Sequence, residues 1–202
     1  EKGAVERIRG AVNYNRYKSQ EDVLRSWELD SEVKFTFRNG FVAEIDYIEE
    51  FQLFEKEFRN DLTQFEVGWD SRDGRSVAVS AGTGVNYDSD LRLYEVEAEW
   101  AFGDRLRLGY SLTRLELDPD PENETTWIHV LDGVYNFNSD LFIKLFVQTN
   151  SATDKLNVQA VWVWRFIPPF GSLQVAYQRG TSEIGEMSDQ GHTLFTKLSW
   201  VF

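Results

Sequence analysis

Apolar and polar side chains alternate along this chain over long stretches, and this period of two constrains the fold more than any other feature. Between residues 27 and 38 the even positions are all polar, and the odd positions are nearly all apolar: Trp27, Leu29, Ser31, Val33, Phe35 and Phe37. Side chains of a β-strand point alternately to its two faces, whereas helical patterns repeat every ~3.6 residues. The alternation recurs over 41–53, 95–102 and 105–113. It predicts amphipathic β-strands and an all-β chain.

The alternating segments and the turn residues between them predict about twelve strands in the 202 residues. Their expected bounds are 5–17, 23–38, 41–56, 61–71, 75–87, 91–102, 105–117, 126–137, 140–150, 155–167, 171–181 and 191–202. Several exceed ~10 residues, the length at which a tilted strand crosses a membrane, whereas strands of soluble proteins average ~5–6. No apolar stretch approaches the ~18–20 residues of a membrane-spanning helix, which excludes a helical membrane protein.

The predicted connections are short after even-numbered strands and, with one exception near Asp88, longer and polar after odd-numbered strands. This is the layout of outer-membrane barrels, which have short periplasmic turns and longer extracellular loops. Residues directly opposite in a hairpin share a face. Four short turns bring apolar residues together in this way, in the expected pairs Phe37–Phe41, Trp69–Val77, Phe102–Leu106 and Phe137–Leu141. Gly40 and Gly74 supply the left-handed residue that such turns require.

We therefore predict an antiparallel up-and-down transmembrane β-barrel of about twelve strands. Residues 1–202 would form a single barrel, or the C-terminal part of a longer chain. Aromatic residues favour lipid as the environment of the apolar face, because they cluster near strand ends as interfacial girdles do. The expected lipid-facing girdle comprises Phe37, Phe41, Trp69, Trp100, Phe102, Tyr135, Phe137, Trp164, Phe166 and Trp200. A soluble β-sandwich with the apolar face inside is the alternative.

The C-terminal segment indicates where in the cell the protein is located. Apolar residues alternate on one face up to a terminal aromatic residue, and Leu198, Trp200 and Phe202 are the expected assembly signal. The pattern is similar to the C-terminal signal of bacterial outer-membrane barrels, which the barrel-insertion machinery recognises. The expected location is the bacterial outer membrane. The expected partners are the lipid bilayer, lipopolysaccharide and, during assembly, the insertion machinery.

The last third of the chain resembles one bacterial family. The run Trp162–Gly180, which contains Ile167-Pro168-Pro169-Phe170-Gly171, looks like the penultimate hairpin of a barrel family of unknown function, and 135–142 is also similar. Members of that family carry an N-terminal domain similar to family-9 carbohydrate-binding modules, followed by a C-terminal barrel. The resemblance implies that this chain is the barrel portion, and that an N-terminal domain or a partner chain accompanies it. It implies no catalytic residues.

Charged residues on the polar face are the richest candidate site. The expected lumen cluster comprises Glu28, Asp30, Glu32, Lys34, Glu44, Asp46, Glu95, Glu97, Glu99, Arg105, Arg107, Lys144 and Arg165. In the register above, Lys34 faces Glu44. One interpretation is an acidic, cation-preferring pore or transporter for small solutes. The other is a salt-bridged, closed lumen in a non-conducting anchor for an N-terminal carbohydrate-binding-like domain or a partner protein.

Composition excludes several other functions. The net charge of −13 argues against nucleic acid as a partner, because phosphate contacts require clustered Lys and Arg. The chain has no Cys, which removes disulfides, thiolate metal sites and Cys nucleophiles. His129 is expected on the outer wall and His192 at the start of the last strand. An outer-rim hydrolase is a remote alternative, but no triad motif is present, so we predict no enzyme, no catalytic residue, no cofactor and no metal site.

Overall fold

The structure is a computed structural model that describes residues 3–119, 125–180 and 191–201. The described residues contain strands and their connections, and the strands hydrogen-bond in chain order in one twelve-stranded antiparallel sheet. This confirms the predicted all-β, up-and-down architecture. The strands are β1 (Val5–Lys18), β2 (Leu24–Phe37), β3 (Phe41–Leu53), β4 (Glu57–Asp70), β5 (Arg75–Asn86), β6 (Ser89–Phe102), β7 (Leu106–Asp118), β8 (Thr126–Asn136), β9 (Leu141–Asn150), β10 (Lys155–Ile167), β11 (Gly171–Gly180) and β12 (Gly191–Trp200).

Two compact units make up the chain. Unit 1 comprises Glu1–Arg72, Ser76–Val96 and Thr113–Thr126, and unit 2 comprises Asp73–Arg75, Glu97–Leu112 and Trp127–Phe202. Closure of the twelve strands into a single barrel over 1–202 stays a prediction. Within the described residues, no helix is long and apolar enough to cross a membrane.

One predicted connection is wrong. The sequence suggested a longer polar segment around Arg59 between the third and fourth strands, but β4 begins at Glu57 and Arg59 pairs with Phe51 of β3. The Phe54 and Phe58 rings, on either side of this turn, lie 6.5 Å apart, and the Phe58 ring also lies 5.0 Å from that of Tyr87, between β5 and β6. Aromatic contacts of this kind add to apolar burial.

The register of unit 1 keeps apolar and polar side chains on separate faces. Val33 of β2 pairs with Ile45 of β3, which in turn pairs with Phe65 of β4. One residue along, Lys34 pairs with Glu44, as predicted. We call the face that bears Ile45 the apolar face of unit 1 and the face that bears Glu44 its polar face.

Unit 2 shows the same separation. Ile143 of β9 pairs with Trp162 of β10, and Trp162 pairs with Val175 of β11. On the opposite face, Gln148 of β9 pairs with Asn157 of β10. We call these the apolar and polar faces of unit 2. Cross-strand neighbours of like character are the unit of sheet stabilisation, so this register is the one that the sequence pattern supports.

Two short turns have the predicted glycine conformation. Gly40 and Gly74 have φ values of 88° and 85°, in the left-handed region that an L-residue rarely adopts. The Gly40 N–H donates to the Phe37 carbonyl at 3.1 Å, and Trp69 pairs with Val77 as predicted. The register of Phe102 with Leu106 stays a prediction.

Burial is inverted relative to a protein that folds in water. Among the described residues, Phe51 and Val163 are the only buried apolar residues, whereas large apolar side chains along both apolar faces are exposed. Ile45 and Phe65, in the middle of unit 1, are 49% and 50% exposed. The polar-face residue Glu44 opposite them has a side chain only 14% exposed. In the middle of unit 1, these apolar-face residues are therefore more exposed than Glu44 on the polar face.

Candidate functional site

The polar face of unit 1 carries a dense acidic cluster. Six of the predicted lumen residues lie on it in two adjacent strands, namely Glu28, Asp30, Glu32 and Lys34 on β2 and Glu44 and Asp46 on β3. Glu28 pairs directly with Glu50, and Glu32 pairs directly with Asp46. Like charges directly opposite each other in a sheet are destabilising. An arrangement that costs stability in this way is characteristic of a functional surface.

Two cations partly balance this cluster. The Lys34 ammonium lies 2.5 Å from Glu44 Oε2, and Arg9 Nε lies 3.7 Å from Glu32 Oε1. The Lys34 and Glu44 side chains are 35% and 14% exposed, so their ion pair is partly shielded from water. Such a pair is stronger than one at a fully solvated surface. Lys34 therefore orders the centre of the cluster through its contact with Glu44.

Three of these carboxylates lie close enough together to be tested as metal ligands. Oxygens of Glu32, Glu44 and Asp46 all fall within 4.8 Å of one another. The Lys34 ammonium already neutralises Glu44 at hydrogen-bonding distance. We therefore interpret the cluster as an ion-paired acidic surface, and the expectation of no metal site stays a prediction.

Glu95 forms a separate hydrogen-bonded centre in unit 1. Its carboxylate accepts hydrogen bonds from Gln64 Nε2 at 2.8 Å, from Thr113 Oγ1 at 3.2 Å and from Ser80 Oγ at 3.4 Å. Small residues of β5 leave room for this long side chain, because Gly82 lies on the same face as Ser80. Three neutral donors orient Glu95 without cancelling its charge.

The remaining predicted lumen residues, Glu97, Glu99, Arg105, Arg107, Lys144 and Arg165, belong to unit 2. Arg107 Nε lies 3.2 Å from Glu99 Oε1. Lys144 and Arg165 both lie over the Phe142 ring, at 5.8 and 5.5 Å from its centroid. Cations gain stabilisation over an aromatic face.

Basic residues replace acidic ones on the polar face of the last four strands. Within the described strands β9–β12, the polar face bears four basic residues and no carboxylate: Lys144, Lys155, Arg165 and Lys197. Five of the eight predicted lumen carboxylates lie on β2 and β3, and the other three lie on β6. Counting the charged residues at alternate positions of each strand would have revealed this difference from the sequence.

Sequence reasoning missed a group of carboxamides on the polar face of unit 2. Gln148, Asn150 and Asn157 meet there because β9 and β10 pair in a register that places residue 148 opposite residue 157. None of these residues stands out within its own strand. Only the pairing of two strands reveals the group.

The predicted girdle residues lie on the apolar faces at the short-turn ends of the strands. Eight of the ten are exposed, namely Phe41, Trp69, Trp100, Phe102, Tyr135, Phe137, Trp164 and Trp200, while Phe37 and Phe166 are partly exposed. In unit 2 their rings form a chain, with Phe166 at 5.6 Å from Trp164 and 5.4 Å from Trp200. A continuous band of rings suits the boundary between lipid and water.

Two of the three residues of the expected assembly signal lie within the described part of the chain. Leu198 and Trp200 lie on the apolar face of β12 and are 66% and 54% exposed. Leu198 pairs with Leu173, and Trp200 pairs with Gly171. Phe202, the third residue of the signal, lies outside the described residues.

Each histidine contacts a tyrosine. His129 Nδ1 lies 2.9 Å from the Tyr110 hydroxyl, and His192 Nδ1 lies 2.7 Å from the Tyr177 hydroxyl. Neither contact is the Ser–His or His–carboxylate contact of a hydrolytic triad. The expectation of no enzyme stays a prediction.

Lys34 and Glu44 allow a direct energetic test of the acidic cluster. We expect Lys34→Met to destabilise the folded chain more than Glu44→Gln, because it leaves Glu44 opposite Glu66 of β4 without its ammonium partner. A double-mutant cycle in urea unfolding should give a coupling of about 1 kcal/mol. Equal effects of both single variants with zero coupling would show that the pair is irrelevant to stability.

Comparisons with known proteins give limited further information. No family model and no curated protein matches the chain. Among solved structures, the chain is similar to one described as "KdgM porin in complex with disordered oligogalacturonate". The sequence identity is 9% and the TM-score 0.39, over 96% of this chain and 99% of that chain. Membership of the family with the carbohydrate-binding-like domain stays a prediction. Because identity and TM-score are both low, the function below is inferred from the residues of this chain.

Proposed function

We propose that the chain is a bacterial outer-membrane β-barrel that forms a pore for small solutes, with a preference for cations. The observation that carries this proposal is the inverted burial. Ile45 and Phe65 lie exposed in mid-strand, while Glu44 on the other face is 14% exposed. In water, each exposed apolar side chain forfeits about 25 cal/mol per Å² of hydrophobic stabilisation. In a bilayer the same surface faces hydrocarbon, and the cost disappears.

Strand length and order support the same proposal. β2, β4 and β6 each have 14 residues, which exceeds the ~9–11 that a tilted strand needs to cross a bilayer. Strands that pair in chain order can close into a barrel, which leaves no unpaired backbone group in the membrane. The alternative soluble β-sandwich requires a second layer of protein over the apolar face of each unit.

The cation preference rests on the acidic cluster. Glu28, Asp30 and Glu50 have no ion-pair partner within 4.0 Å among the described residues. Carboxylates that line a water-filled passage raise the local concentration of cations and lower that of anions. The proposed partners are the lipid bilayer and lipopolysaccharide around the apolar faces, and the barrel-insertion machinery during assembly.

Single-channel recording tests this function. We expect the refolded chain to give steady openings in a planar bilayer, with a reversal potential under a salt gradient that indicates cation selectivity. The variant Glu28→Gln/Asp30→Asn/Glu50→Gln should shift that potential towards zero, because it removes three carboxylates from the polar face. Gln52→Glu, on the same face of β3, is the matched control and should raise selectivity. Anion selectivity, or selectivity unchanged by the triple variant, would contradict the proposal.

Ion pairing on the polar face favours a second candidate. The Lys34–Glu44 and Arg107–Glu99 contacts are the kind that would fill a lumen with side chains. The chain would then be a non-conducting anchor for an N-terminal carbohydrate-binding-like domain or a partner protein. No conductance from a barrel that is demonstrably folded, by its heat-dependent mobility on a gel, would favour this candidate over the pore.

A further inference from the structure

A small pocket lies on the polar face of unit 2, where β9 ends and β10 begins. Its volume is about 180 Å³, and its lining residues are Gln148, Asn150, Thr153, Lys155, Leu156, Asn157 and Gly180. All of them belong to unit 2. None belongs to the acidic cluster on which the proposed pore selectivity depends.

Cross-strand register builds this pocket. Gln148 pairs with Asn157, and Asn150 pairs with Lys155, so the three carboxamides lie in two adjacent rows of the sheet. The Asn150 side-chain oxygen accepts a hydrogen bond from the Ala152 N–H at 3.0 Å. That contact orients the Asn150 carboxamide, and its nitrogen is then a donor available to a ligand.

Asn157 has a side-chain acceptor that no described residue pairs with. Its Oδ1 is buried and has no hydrogen-bond partner among the described residues. The side chain lies against Gly180, where an added Cβ would come 2.6 Å from Oδ1. A buried acceptor without a partner is costly, and native structures keep few of them without a reason. Rotation of this carboxamide towards a bound molecule would remove the cost.

The chemistry of the lining selects a class of ligand. A carboxamide presents one acceptor and one two-hydrogen donor side by side, which matches a pair of neighbouring hydroxyl groups. The described lining residues include no carboxylate, so none of them offers a divalent cation a charged oxygen ligand. Lys155 is the single ionisable residue among these described residues, and its side chain is exposed. The pocket therefore suits an uncharged, polyhydroxylated ring better than an ion.

We propose that this carboxamide pocket is a saccharide-binding subsite, at which Gln148, Asn150 and Asn157 hold a neutral sugar ring through its hydroxyl groups. The subsite does not depend on conduction: a closed barrel and an open pore would both present it. Gly180 has a defined part in it, because a Cβ added there would come 2.6 Å from Asn157 Oδ1 and would displace the carboxamide from its present position.

Titration of the full chain with maltose, in micelles of a sugar-free amine-oxide detergent, tests the subsite. We expect weak binding, with Kd on the order of 1 mM. Asn157→Leu should weaken it about tenfold or more, yet leave the urea unfolding midpoint unchanged or raised, because it removes an unpartnered buried acceptor. Gln174→Leu, which removes a carboxamide from the same face outside the pocket, should keep maltose affinity. No binding by the folded chain, or equal weakening by both variants, would overturn the proposal.

Two glycines offer a second comparison. Gly180→Ala would push the Asn157 carboxamide aside and should reduce maltose affinity. Gly191→Ala, on the adjacent strand, places its Cβ within 4 Å of no described residue beyond its chain neighbours and should not change that affinity. Equal affinities of these two variants would contradict the assigned role of Asn157.

Repeating the titration with micelles of octyl glucoside distinguishes a lipid-linked sugar from a free one, since a subsite for glycolipid would bind the micelle-borne ring in preference to maltose.

Discussion

Replacing Ile45 by arginine should prevent the chain from assembling in a bilayer. Ile45 lies in the middle of β3, pairs with Val33 and Phe65, and is 49% exposed. If the apolar face contacts lipid, an arginine near mid-depth costs about 2–4 kcal/mol, a large share of the ~5–15 kcal/mol stability of a typical domain. The measurement is the folded fraction in lipid vesicles, read from heat-dependent gel mobility and from urea unfolding.

The neighbouring residue provides the matched control for that experiment. Asp46 projects from the opposite face and pairs with Glu32 and Gln64. Asp46→Asn should fold as well as the parent chain, or slightly better, because it removes one member of a like-charge pair. If Ile45→Arg folded normally in vesicles while Asp46→Asn failed, the two faces would be assigned the wrong way round. Normal folding of Ile45→Arg in detergent-free water would instead support a soluble protein.

Replacing Gly84 by alanine should also cause a large loss of stability. Gly84 lies on the polar face of β5 and pairs with Leu62 of β4. A Cβ at this position would overlap the Asp61 carbonyl oxygen and lie 2.8 Å from the Leu62 Cα. Both atoms belong to backbone, so β4 would have to move as a unit. Overpacking of this kind typically costs about 1–3 kcal/mol, which should lower the urea unfolding midpoint.

A second strand glycine separates this steric effect from the general effect of replacing glycine. A Cβ added at Gly10 of β1 meets only the Glu32 carbonyl oxygen, at the ordinary contact distance of 3.9 Å. Gly10→Ala should therefore be neutral or stabilising by up to about 1 kcal/mol, because alanine loses less conformational freedom on folding. A Gly84→Ala variant as stable as Gly10→Ala would mean that β4 and β5 do not approach as closely as described.

Local pattern accounts for most of the fold. Alternation of side chains along each strand is visible within a few residues, and the short turns preserve it, so the Lys34–Glu44 pairing followed from the turn at Gly40. The wrong connection at Arg59 has a nonlocal cause. Phe58 extends β4 because it contacts Tyr87, which is 29 residues further along the chain.

The candidate sites also differ in whether the sequence alone could predict them. The positions of the acidic residues on one face of β2 and β3 were evident from parity alone. The orphaned oxygen of Asn157 was not, because it depends on how closely β10 and β11 approach at Gly180. A contact such as that between Asn157 and Gly180 depends on the distance between two strands, and the residue types of either strand alone do not reveal it.

By itself, the sequence determined the strand number, the antiparallel order and the division into an apolar and a polar face, because these follow from a period of two and from turns that preserve parity. Only the tertiary structure decided which residues meet across strands: the Lys34–Glu44 distance, the hydrogen bonds to Glu95 and the pocket beside Asn157. The physical reason is that alternation is a property of one strand, whereas distance, burial and hydrogen bonding belong to neighbouring strands whose register and spacing arise only when the sheet forms.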